Sequence, residues 1–145
     1  MISAFTIPGQ PIPKGRHRTT IRRGRVTTRT PERTVTFETV VGANAWKACR
    51  GIPWDHDGGP LAVDIVAVLG RVGRLDKIAR GRVWGHGSTV DADNVAKAVL
   101  DGMQRGGALA NDRHVVDVRC RLVYAAAGEK AHTEVTVRSV LPGDL

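Results

Sequence analysis

The run Leu61-Ala62-Val63-Asp64-Ile65-Val66-Ala67-Val68-Leu69 constrains this fold more than any other stretch. It is apolar at both parities, so neither face of a strand built from it tolerates water, and it is predicted to lie centrally in a sheet. Asp64 interrupts the run. A carboxylate there needs a partner, and either approach to an acidic site or capping of a neighbouring loop would provide one. A central strand also needs neighbours. Residues 2–7 read as a short strand ended by Pro8-Gly9. Val115–Tyr124 and residues 134–140 alternate and read as a hairpin closed through an Ala-Gly turn. In the first of these, Val116, Val118, Cys120 and Leu122 share one face, and Asp117, Arg119 and Arg121 share the other.

Two segments have helical character. Thr30-Pro31-Glu32 offers a hydroxyl cap, a proline at the first position and an acid in the first turn. The helix it starts is predicted over about residues 32–50, burying Phe37, Val41, Ala45 and Ala48, although residues 34–41 also alternate as a strand would. Gly51-Ile52-Pro53 ends it, and Asp55-His56-Asp57-Gly58-Gly59-Pro60 reads as an exposed turn whose Asp-His-Asp only resembles a metal cluster. The second helix opens at Val90-Asp91-Ala92-Asp93-Asn94-Val95-Ala96-Lys97. At about 100° per residue, Asp93, Lys97 and Asp101 fall on one arc with Asn94 beside it, while Val95, Val99 and Met103 fall opposite and face a core. The expectation is therefore an α/β (α+β) chain: a single compact domain over residues 1–145, with a small mixed β-sheet packed with two main helices. Cys49 and Cys120 lack CxxC or zinc spacing and read as small buried hydrophobes in a reducing compartment. No apolar run is long enough to span a bilayer, residues 1–13 carry no secretory signal pattern, and no internal repeat is visible.

Charge narrows the function. The chain has 22 Lys+Arg against 14 Asp+Glu, a net charge of +8. Most of the cations are arginine, which grips phosphate bidentately, so nucleic acid is the expected partner. The positive charge clusters in two segments. About residues 14–33, Pro11-Ile12-Pro13 leads an extended stretch into Lys14, Arg16, Arg18, Arg22, Arg23 and Arg25, with Gly24 as a hairpin or loop tip. About residues 70–89, Arg71, Arg74, Lys77, Arg80 and Arg82 meet only Asp76 and are punctuated by glycines. Trp84 and His86 in the second segment are candidates for stacking on a base or wedging at a strand crossover, or simply for covering the site.

Asp91, Asp93 and Asp112 are the candidate metal ligands, with Lys97 beside them and Asn94 and Asp101 as outer partners. Taken singly, each has a plainer role. Asp-x-Asp-Asn can cap a helix, Asp112 can end a turn, and Lys97 can pair with Asp93 or Asp101. Their setting favours the metal. Bare carboxylates among arginines would repel the polyanion those arginines attract, unless a hard cation such as Mg²⁺ lies between them.

Together, Asp91-x-Asp93-Asn94-x-x-Lys97, Asp101 and Asn111-Asp112 resemble the RusA family of Holliday junction resolvases. The N-terminal segment from Pro11 to Arg18, followed by Arg29-Thr30-Pro31, resembles the same family's N-terminal half. The resemblance implies a small homodimer with a mixed sheet that cuts four-way DNA junctions and leaves 5′-phosphate and 3′-hydroxyl ends. The cofactor it implies is Mg²⁺, with Mn²⁺ as a substitute, held by Asp91, Asp93 and Asp112, with Lys97 as the essential lysine. It also implies branched DNA as partner, no membrane, and the cytoplasm of a bacterial host, phage-encoded members included. The chain departs from the family's pattern in carrying Asn111 before Asp112 where Asp-Asp is common, His17 where a proline is common, and a longer segment over residues 70–89. A flap or branched-DNA nuclease and a non-catalytic basic nucleic-acid-binding protein are the alternative functions.

Overall fold

The computed structural model describes residues 1–16 and 18–145, so His17 in the extended basic segment lies outside the described residues. The elements run β1 (Ile2–Pro8), β2 (Arg18–Arg22), β3 (Arg25–Arg29), α1 (Glu32–Cys49), β4 (Leu61–Leu69), β5 (Val83–Trp84), α2 (Ala92–Arg105), β6 (Val115–Tyr124) and β7 (His132–Ser139). The main sheet has the order β1-β7-β4-β6-β5, and β2 and β3 form a separate two-stranded ribbon.

The Leu61–Leu69 run does take the centre, and seven of its side chains are buried. This central position overturns the expected hairpin. β6 pairs parallel with β4, while β7 pairs antiparallel with β4 from the other side. The most apolar strand thus separates the two alternating ones. The physical reason lies in demand for cover: each of those strands has one wet face and can flank, whereas β4 needs a strand on both edges and cannot.

Both helices lie on one face of the sheet. Val63, Ile65 and Ala67 of β4, Val135 and Val137 of β7, and Ile7 of β1 pack there against Phe37, Val41 and Ala45 of α1 and Val95, Val99 and Met103 of α2. The other face carries Asp64, which lies 3.7 Å from Arg121 of β6. Asp64 therefore neither approaches the acidic helix nor caps a loop; it sits in mid-strand opposite the helices with a cross-strand cation. Cys49 is buried, and Cys120 is half-buried against the core.

Residues 34–41 belong to α1, which settles helix over strand. Its expected core residues Phe37, Val41 and Ala45 are buried, and Ala48 is partly so. The cap differs from expectation, because Pro31 rather than Thr30 holds the N-cap position and supplies no side-chain cap. At the other end Arg50 adopts a left-handed φ of 57°, followed by Gly51 at 76°. Where α1 crosses α2 the backbones touch. A Cβ on Gly106 would lie 2.4 Å from Gly42 Cα, and one on Gly102 would lie 2.6 Å from Val41 Cβ.

Candidate active site and nucleic-acid interface

Asp91 stands at the N-cap of α2 with extended φ and ψ (−97°, 132°), yet its side chain makes no capping hydrogen bond. Its Oδ2 instead accepts from Asn94 Nδ2 at 3.4 Å. Asp93, in the first turn, is exposed and has no hydrogen-bond or ionic partner among the described residues. Lys97 is exposed too, and pairs with neither Asp93 nor Asp101. An exposed carboxylate pair and a lysine therefore line one edge of the helix, and neither carboxylate caps its backbone. This weakens the capping account of the motif, since a capping carboxylate spends an oxygen on a backbone N–H. Asp93 also lies close enough to β6 to act on Cys120. Burial first, and then the Asp93 charge, push that thiol up to about 11, so Cys120 is no nucleophile.

Asp101 does other work. Its Oδ2 lies 2.9 Å from Lys14 Nζ, which also donates to Glu38 Oε1 at 2.6 Å. Glu38 is 1 % exposed and takes a second cation, Arg105, at 3.1 Å. Burial alone would push the Lys14 ammonium down, but the hydrogen bonds and charges of Glu38 and Asp101 outweigh it and hold its pKa above the ordinary value. The Lys14 backbone N–H donates to Asn94 O at 2.8 Å. Lys14 thus fastens the N-terminal segment to both helices. Glu38 escaped sequence reading because it falls on the inward side of an otherwise apolar helix face, where only the fold reveals its cations.

Asp112 is exposed and opens the 3₁₀ turn Asp112–His114 that leads into β6. What holds it is Asp55, from the segment read as an exposed turn. The Asp55 side chain is 0 % exposed. It accepts from Ala110 N at 2.9 Å and Asn111 N at 3.0 Å, and it lies 2.8 Å from His114 Nδ1. Burial raises its pKa, but those backbone donors and His114 more than compensate and hold it below the usual carboxylate range. His56 and Asp57 stay in the turn, Asp57 accepting from Gly59 N at 2.9 Å. The Asp-His-Asp segment thus departs in part from the expected exposed turn: Asp55 is buried, while His56 and Asp57 are exposed. Aspartate spacing carries no signal for this clamp, because Asp55 and Asn111 are 56 residues apart in the chain.

The fit to a metal is incomplete in one copy of the chain. Among the described residues no three His, Cys, Asp or Glu side chains come together so as to hold an ion. Asp91 and Asp93 share a helix start, but Asp112 does not join them.

The basic segments divide into structural and free cations. Arg71 is half-buried, donating to Asp76 at 2.9 Å and to the carbonyls of Ala79, Gly81 and Ala125. Arg82 bridges Glu129 at 2.7 Å and Glu134 at 2.8 Å. Its hydrogen bond draws the Glu129 carboxyl down to about 2. These two arginines order the segment over residues 70–89, which contains the 3₁₀ turn Gly73–Lys77 and the short β5. Arg16, Arg18, Arg22, Arg23, Arg25, Arg74, Lys77 and Arg80 are exposed and without a carboxylate partner among the described residues. Trp84 on β5 is 69 % exposed, with exposed His86 close behind it.

The ribbon concentrates the charge on one side. Arg18 pairs with Arg29 and Arg22 with Arg25, and residues two apart share a face. One face therefore presents Arg18, Thr20, Arg22, Arg25, Thr27 and Arg29; the other presents Thr19, Ile21, Val26 and Thr28. The tip is a two-residue turn with φ of 52° at Arg23 and 73° at Gly24, the primed geometry that suits strand twist.

A family model described as Endodeoxyribonuclease RusA matches residues 8–138. That span takes in the ribbon, both helices, the acidic motif and Asp112. No curated protein matches the chain.

Proposed function

Because the chain belongs to the RusA endodeoxyribonuclease family, we propose that it resolves four-way DNA junctions by paired hydrolysis of phosphodiester bonds. The observation that carries this reading is the unspent edge of α2. Asp93 and Lys97 face solvent without a hydrogen-bond or ionic partner among the described residues, and exposed Asp91 beside them accepts only from Asn94, in a chain whose ribbon presents a face of four arginines. On this reading the ribbon and the free cations of residues 70–89 hold the duplex arms through phosphate contacts. Lys97, one turn beyond Asp93, meets the scissile phosphate and offsets the charge that develops as water displaces the leaving oxygen. The products are a 5′-phosphate and a 3′-hydroxyl. Mg²⁺ is the cofactor, with Mn²⁺ as substitute, although among the described residues of a single copy the three expected carboxylates do not come together. Two incisions related by symmetry are most simply made by a homodimer. The place of action is the bacterial cytoplasm, and among the described residues no helix is long and apolar enough to cross a membrane.

The test uses a labelled four-way junction, a flapped duplex and a linear duplex, each with Mg²⁺ or with EDTA. Symmetric nicks on the junction, only with Mg²⁺, are expected. Preferential flap cutting would instead identify a branched-DNA nuclease, and binding without cutting a passive nucleic-acid-binding protein.

A further inference from the structure

We propose that Trp84 lets the protein tell branched from linear DNA by stacking on the base of an unpaired nucleotide at the branch point. Arg119 and Arg121, beside it, take the phosphates of the strand that diverges there. The proposal rests on the nuclease reading above and names what makes its site selective.

Trp84 is the most exposed of the three tryptophans, at 69 % against 44 % for Trp46 and 6 % for Trp54. It is held out rather than left loose. β5 forms an edge of the main sheet, where Val83 and Trp84 pair with Tyr124 and Val123 of β6. Directly after them Gly85 N donates to Leu122 O at 2.9 Å. Gly85 lies so close on β6 that a Cβ there would be 2.9 Å from Leu122 Cβ. Side chains alternate along a strand, and Val83 turns to the helix side, where it packs on Leu69, Leu75 and Tyr124. Trp84 therefore projects from the opposite face, the one on which β6 carries Val123, Arg121 and Arg119.

That setting suits a nucleotide. Arg119 is exposed and has no carboxylate partner among the described residues, and Arg121 lies 3.7 Å from Asp64. Both arginines continue the line from Val123 along the same face, at intervals of about 7 Å. An aromatic ring with cations beside it stacks a base and grips its backbone. A protein partner would want the reverse, since the cores of such interfaces are depleted in charge.

Position decides between paired and unpaired DNA. Val90 packs on the same cluster as Val83, and Asp91 follows it, so the acidic end of α2 lies at this corner of the sheet on the helix side. Trp84 faces the other side. A straight duplex keeps its bases stacked on one another and offers no base face to the ring. A branched molecule can do so: one strand stays at α2 while the other passes round the edge at β5.

Binding in EDTA, where nothing is cut, tests this with a four-way junction, a duplex carrying one bulged nucleotide and a fully paired linear duplex. Trp84→Ala should weaken binding to the junction and the bulged duplex by about 5- to 100-fold, the range one stacked base supplies, and leave the linear duplex unchanged. Trp84→Phe should restore most of the loss. Neither variant should alter the log–log salt slope, because a neutral ring displaces no counterions. Arg119→Gln with Arg121→Gln should flatten that slope on the junction by about 2 units. A fluorescent aminopurine at the bulge should be quenched by wild type and not by Trp84→Ala. Equal loss on all three DNAs, no loss on any, an unchanged slope for the arginine pair, or an unquenched bulge with wild type overturns the proposal. So does a Trp84→Ala chain that sediments as a smaller species without DNA, since the ring then contacts a second copy. If wild type shows the expected binding pattern but cuts nothing with Mg²⁺, the nuclease reading alone falls.

Discussion

At the scale of single residues, the side chains that hold the chain together and those left free for chemistry can be told apart by what they touch. Asp93 has no hydrogen-bond or ionic partner among the described residues, so Asp93→Asn should leave the melting temperature unchanged. If Asp93 binds the metal as proposed, cleavage should fall by orders of magnitude, because asparagine would remove an anionic ligand from a hard cation. Junction binding without metal should be equal or slightly tighter, with one fewer negative charge facing phosphate. Thermal melting, a junction-binding titration and a cleavage time course check the three parts, and near wild-type cutting would remove Asp93 from the site. Asp55 is the opposite case. Asp55→Ala leaves two backbone donors and the His114 ring without their buried acceptor, and should cost about 1–3 kcal/mol in denaturant unfolding. It should also depress cleavage beyond what lost stability explains, since the turn carrying Asp112 loses its anchor. Asp57→Asn, two residues on and exposed, should do neither.

At the scale of elements, the ribbon and the helix crossing make separable predictions. If the arginine face of β2 and β3 lies on DNA, Arg22→Ala with Arg25→Ala should remove about two phosphate contacts. The log–log dependence of junction affinity on salt should flatten by about 2 units. Ile21→Thr with Val26→Thr alters only the uncharged face and should leave that slope alone. Equal effects from both pairs would show that the ribbon does not bind by one face. At the α1–α2 crossing there is no room for a methyl group. Gly102→Ala forces the new carbon into Val41 and the Glu38 carbonyl, and should destabilise by about 1–3 kcal/mol, read as a lowered denaturant midpoint. The same displacement would disturb Glu38, Lys14 and Arg105, which lie along the crossing.

At the scale of the whole molecule, the Arg82–Glu129–Glu134 bridge ties the basic segment to β7 and to the connection before it, and it makes stability depend on acid. The Glu129 carboxyl titrates near 2 when folded against an ordinary 4.5, so the unfolded chain takes up its proton first on acidification. Its stabilisation is complete above about pH 4.5 and is lost as the pH falls toward 2. Melting temperatures between pH 6 and pH 2.5 should therefore drop less steeply for Arg82→Gln than for wild type; parallel curves would mean the bridge contributes nothing. The sequence determined a good deal alone. A nine-residue run apolar at both parities has to be a central strand, and two amphipathic stretches have to lie on the sheet it centres. Those are local properties, fixed by side-chain period and composition. Strand order, the cations around Glu38, the clamp from Asp55 and the distance of Asp112 from Asp93 depend on contacts between residues far apart in the chain. Periodicity says which face of an element is wet, but not which element will cover the other face; only the packed structure decides that.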